Sequence, residues 1–239
     1  MKTKTARLFV VLLGLYLFLF NIFLTLVSIG DTNSMAIAAM VWGLMIVWIV
    51  CAGALMYIFR DRIRSVVQCI PLPWQVTFVL GATALALIEE AVTVSLTNMA
   101  PLFGAVAGEA YITATTNYVD LVLFHSVIIF IPLFIAWSIV LSKYRFSPFS
   151  VFLLFGITGI LCEISFGGPQ QVLGFAQWIF VYGLMIYLPA YSIPDNRNAK
   201  TVRFWHYVAA IPATLLIALP MLIPIVYVIT NVLQHPIHF

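Results

Sequence analysis

From its first residues the chain alternates apolar runs of about twenty residues with short polar connections. At about 1.5 Å of rise per helical residue, runs of that length match the ~30 Å hydrocarbon core of a bilayer. The pattern predicts spans at roughly 7–29, 36–59, 74–97, 119–142, 148–167, 171–190 and 205–229. These define an all-α, polytopic membrane protein with seven transmembrane helices, a single helical domain over 1–239 with its termini on opposite sides. With 64% hydrophobic and 8% charged residues in 239, no length is left for a separate soluble domain. The opening MKTKTAR precedes an apolar run too long for a signal peptide, and no A-x-A-like site follows, so it reads as a retained first helix.

Charge orients the bundle. All eleven Lys and Arg residues fall in alternate connections: Lys2, Lys4 and Arg7; Arg60, Arg62 and Arg64; Lys143 and Arg145; Arg197, Lys200 and Arg203. The connections at Asp31, at 98–118 and at GGPQQ, and the C-terminal tail, hold none. The positive-inside rule then puts the N-terminus in the cytoplasm and the C-terminus outside, in a plasma (cytoplasmic) membrane. The expected partners are membrane lipids and a lipid or membrane-embedded substrate, or else a transported ion; no nucleic acid is expected. Cys51, Cys69 and Cys162 follow no disulfide or zinc-knuckle spacing and read as small core residues.

Four ionisable residues interrupt the apolar runs: Glu89 and Glu90 in ALALIEEAVTVSL, His125 in LVLFHSVIIF, and Glu163 in GITGILCEISF. Charge in hydrocarbon is costly, so such residues mark a functional site unless a neighbour satisfies them. Counted at about 1.5 Å per residue from the external span ends, all four lie roughly 6–12 Å deep, which allows one shared layer. Helical spacing puts Glu90 on a face with Thr83, Thr93 and Thr97. Asp120 at the mouth of the fourth span, and Gln170 and Gln171 beside Glu163, extend this layer toward external water as accessory groups. The simpler alternatives are a hydrogen-bonded core histidine at 125, water-accessible acids at the span ends, and tryptophans that form an interfacial belt.

Two connections carry less. RDRIRSVVQCIPLPW reads as a short interfacial turn at anionic headgroups. The segment 98–118 reads as an external loop with one turn of helix, or as a lid dipping into the bundle. Its Gly104-x-x-x-Gly108 pair lies outside any span and is not a dimerisation motif. Prolines 212, 220 and 224 are expected to bend the seventh helix.

A layer of this composition fits first an intramembrane enzyme acting on a lipid or membrane-embedded substrate, with Glu89, Glu90 and His125 catalytic. Glu89, Glu90, His125 and Glu163 are then candidate ligands for a divalent metal (Zn, Fe or Mn), with Thr93 beside them. The Glu pair followed by a helical His resembles the intramembrane proteases that include CAAX-processing and bacteriocin-immunity proteins. This resemblance covers three residues. The chain has Val94 where that family has Arg and Leu121 where it has Phe, and it lacks the family's second His motif. The alternative is a proton- or cation-coupled transporter or channel using the same carboxylate–histidine layer. Against transport, the sixth and seventh spans offer almost nothing ionisable beyond His206, and no inverted repeat is visible. A terpenoid- or carotenoid-modifying enzyme, with a protonated Glu attacking an alkene, is a third and weaker reading. A retinal Schiff base is excluded, because every Lys lies outside the spans.

Overall fold

A computed structural model describes residues 3–235 as a helical bundle. Its helices are α1 (Thr3–Val27), α2 (Thr32–Gln68), α3 (Trp74–Asn98), α4a (Tyr118–His125) with α4b (Val127–Lys143), α5 (Pro148–Gly167), α6 (Phe175–Tyr191) and α7 (Phe204–Val232). Among the described residues six are long and apolar enough to cross a membrane, and the α4 pair, bent by 47°, is either one broken span, which makes seven, or a re-entrant loop. The protein is therefore an all-α, multi-pass membrane protein, and each expected span has its helix. Helix α7 keeps its length through Pro212, Pro220 and Pro224 and ends in a π-helical turn, Val228–Val232.

Helix α5 packs most closely on α6, α3 lies against both α4b and α6, and α7 covers α4b. Small residues permit the α5–α6 approach: a Cβ on Gly156 would stand 2.7 Å from Ile179 Cα, and Gly159 lies beneath the Tyr182 ring. Between the carboxyl-bearing turns and the end that carries the basic connections the core is apolar, with Phe78, Ala82, Ala86, Phe134, Trp137 and Phe155 all fully buried or nearly so. Helices α1 and α7 expose most of their side chains, as lipid-facing helices do.

The basic connections meet at one end of the bundle. Arg64 pairs with Asp195, Gln68 Nε2 donates to the Ser192 carbonyl at 3.1 Å, and β1 (Tyr144–Arg145) pairs in parallel with β2 (Lys200–Thr201). Arg197 donates to the carbonyls of Leu141 at 3.2 Å and Pro194 at 3.1 Å. Burial, with the nearby charge of Arg145, holds its guanidinium below the ordinary value. At the other end Asn33 Nδ2 donates to Glu109 at 3.2 Å, and Asn98 Nδ2 donates to the Thr116 carbonyl at 2.9 Å.

Two expectations need correction. Residues 60–68 are no interfacial turn: α2 stays helical for 37 residues, about 55 Å, and so projects beyond a ~30 Å core. Arg60 stacks 4.1 Å above Tyr57 and 5.3 Å from Tyr191, which gives the projecting turns aromatic support. Cys51 and Cys69 are exposed, and only Cys162 is partly buried. The segment 98–118 holds a short 3₁₀ turn, Ala100–Phe103, and lies along the bundle end with Ala100, Ala105 and Ala110 buried. Gly104 and Gly108 have φ of 94° and 87°, so they serve as turn residues.

Asp31 caps α2 by accepting from Ser34 N at 2.8 Å, and the Ser34 side chain, together with this backbone bond, lowers its pKa below the ordinary carboxylate value. A depressed folded-state pKa gives stabilisation that is complete above the unfolded value and lost as pH falls through the folded one. Asp31→Ala is thus expected to melt below wild type at neutral pH, and the gap should close below the ordinary carboxylate range. Thermal melts in detergent across pH 2–7 check this.

Candidate functional site

Helix α3 presents Ala82, Ala86, Glu89, Glu90, Thr93 and Thr97 to the bundle interior, a stripe at helical spacing. Glu89 is 3% exposed and Glu90 6%. The Thr93 hydroxyl lies 3.2 Å from Glu90 Oε2, and the Ser126 side chain, at the α4 break, stands within electrostatic reach of Glu90 while its hydroxyl donates to the Leu121 carbonyl at 3.3 Å. On Glu89 the same Thr93 hydroxyl reaches only the backbone carbonyl, at 3.4 Å.

Glu163 joins from α5. It lies four residues beyond Gly159 and hence on the same helix face. Because Gly159 has no side chain, the Tyr182 ring lies over it and the phenol donates to Glu163 Oε1 at 2.5 Å. Glu89, Glu90 and Glu163 are within electrostatic reach of one another, and Tyr182 feels both Glu163 and Glu89. Three of the four residues expected in one layer, the carboxyls, are thus near one another, and Tyr182 joins them through Glu163. Helical spacing on α5 locates the Gly159–Glu163 face, but nothing in the sequence pairs it with Tyr182.

His125 belongs to a neighbouring cluster. Asn117 caps α4a by accepting from Val119 N at 3.0 Å and Asp120 N at 3.2 Å, and Leu121–His125 then form a π-helical turn closed by Ser126 N to the Leu121 carbonyl at 3.0 Å. Residues five apart point roughly 140° apart on an α-helix of 3.6 residues per turn; the wider turn brings Asp120 and His125 to one side. The axis then bends by 47° into α4b. Pro132 in α4b crowds the carbonyl four residues upstream and disfavours a straight helix across this point. The break sends consecutive side chains two ways: Ser126 to Glu90, and His125 to Asp120.

Asp120 Oδ2 lies 3.5 Å from His125 Nε2, while its Oδ1 lies 2.6 Å from His235 Nε2. The His125 side chain is 3% exposed, those of His235 and Asp120 19% and 22%. His235 stacks on Phe124 with ring centres 4.4 Å apart and meets the His125 ring edge-on at 5.2 Å. Among the described residues, Asp120, His125 and His235 are the group whose ligand atoms all lie within 4.8 Å of one another. The metal set expected from sequence, Glu89, Glu90, His125 and Glu163, is not gathered that closely. Spacing along one chain showed depth, but not which way the π-helical turn aims His125. His235, in the C-terminal tail, gave no signal because it lies beyond every span. Gln170 is exposed and donates to the Gly167 carbonyl at the end of α5, a capping contact away from the carboxyls.

An apolar surface groove of about 500 Å³ runs along the C-terminal turns of α3, lined by Leu87, Ile88, Ala91, Val92, Leu96 and Tyr118 among others, on the face away from Glu89 and Glu90. The Tyr118 hydroxyl donates to the Leu87 carbonyl at 3.0 Å. Comparison with protein-family models, curated proteins and solved structures finds no match to this chain.

Proposed function

We propose that this protein is an integral membrane enzyme that carries out proton-transfer chemistry on a lipid or membrane-embedded substrate. The observation that supports this most is the approach of three carboxyl groups from α3 and α5 inside the bundle, with Thr93 bonded to Glu90 and Tyr182 to Glu163. Carboxyls removed from water suit general acid–base work, and Glu89 and Glu90, the most buried, take those roles. Tyr182 orients Glu163 as a supporting acid.

Transport through the same layer is the second reading. The apolar floor formed by Phe78, Phe134, Trp137 and Phe155 favours the enzyme, because a proton or cation path would need polar groups there. The proposed topology has the N-terminus in the cytoplasm, the carboxyl layer near the external leaflet and the C-terminus outside, since the basic connections gather at one end.

The test uses purified protein in nanodiscs made from a native-membrane lipid extract, with products followed by mass spectrometry. Wild type is expected to convert at least one lipid species while Glu89→Gln does not. If the wild type leaves every lipid unchanged and instead carries pH-driven ion flux in liposomes, the enzyme reading fails and transport takes its place.

A further inference from the structure

We propose that Asp120, His125 and His235 bind one divalent transition-metal ion of the borderline class that includes zinc and iron(II). Two imidazoles and one carboxylate are the ligand set this class takes, whereas calcium and magnesium favour oxygen alone. The three donors come from places 115 residues apart in sequence, and all their ligand atoms lie within 4.8 Å. Metal bonds of about 2.0–2.2 Å put ligand atoms about 3.0–3.5 Å apart, so side-chain rotation alone closes this set around an ion.

The backbone on both sides is committed to the convergence. The π-helical turn Leu121–His125 swings His125 onto the side of Asp120. At the other element Gln234 holds φ 50°, the one positive φ among described non-glycine residues, and turns His235 back onto Phe124. Such a conformation persists where the surroundings over-determine it. The partial exposure of Asp120 and His235 leaves a way in for the ion. The site is distinct from the Glu89–Glu90–Glu163 layer and stands whether or not that layer is catalytic.

The test uses the full chain, free of any affinity tag, stripped with chelator in detergent and titrated with Co²⁺. Wild type is expected to take up one saturable equivalent with visible ligand-field absorption, to release it to Zn²⁺, and to melt at higher temperature with either ion. His235→Ala, at the edge of the described chain and outside the core, and Asp120→Asn should each weaken binding at least tenfold, the effect that loss of an outer-sphere partner already produces. Glu109→Gln, at the same end of the bundle but outside the cluster, should bind as wild type does. A wild-type protein that takes up no Co²⁺, or a His235→Ala variant that binds as tightly as wild type, overturns the proposal and leaves Asp120 as a plain hydrogen-bond bridge between two imidazoles.

Discussion

Glu90→Gln is expected to lower lipid turnover by a factor of about 10²–10⁴, the range that a positioned general acid or base contributes. The amide keeps the size of the carboxyl, and its oxygen still accepts from Thr93, so the packing around it is kept. What the amide cannot do is give or take a proton. The melting temperature in detergent should therefore stay within roughly 2–4 °C of wild type, the shift that about 1 kcal/mol produces in a chain of this size. Glu89→Gln should behave alike, because Glu89 is buried on the same turn of α3. Glu163→Gln should cost less, since Tyr182 can still donate to its oxygen. The rate of lipid conversion in nanodiscs, read beside the melting curve, separates these outcomes. Full activity in both Glu89→Gln and Glu90→Gln would remove the pair from the chemistry.

The largest effect on stability is expected at Gly156. A Cβ there would lie 2.7 Å from Ile179 Cα and 2.8 Å from the Ile179 carbonyl oxygen, and backbone cannot rotate aside as a side chain does. Gly156→Val should therefore force α5 away from α6 at a cost of about 3 kcal/mol or more, the upper end for overpacked cores. In detergent this means a drop of about 6–12 °C in melting temperature, or failure to accumulate in the membrane. Gly14→Val is the control, because nothing lies within 4 Å of the added Cβ on the exposed helix α1. The consequence reaches the site as well. Tyr182 lies over Gly159, one turn from Gly156, and its bond to Glu163 depends on the same close approach. Gly156→Val should thus impair turnover in whatever protein still folds, whereas Gly14→Val should not.

The sequence made the spans legible because a bilayer imposes one length and one polarity on each helix, and both are visible without knowing any neighbour. It also made Glu89, Glu90 and Glu163 legible, since an acid inside an apolar run stands out wherever its partner is. The extension of α2 to Gln68 was hidden for the opposite reason: hydropathy falls at Arg60, but the helix continues on contacts with Tyr191 and Asp195 from elsewhere in the chain. His125 shows the limit most clearly. Its depth follows from counting residues, yet its direction depends on one π-helical turn and a 47° bend, which the residues LVLFHS do not announce. His235 and Tyr182 enter through tertiary contact alone, and no local pattern identifies either.

The account depends on acids from α3 and α5 sharing one enclosed layer. In a chain with Cys51, Cys69 and Cys162 replaced by Ser, Glu90→Cys and Glu163→Cys together should be joined by a short bifunctional thiosulfonate in native membranes. Ile88→Cys, whose side chain is exposed on α3, paired with Glu163→Cys should stay unlinked. Efficient linkage confined to the Glu90 and Glu163 pair is the predicted result; equal linkage in both pairs, or none in the first, would contradict the layer.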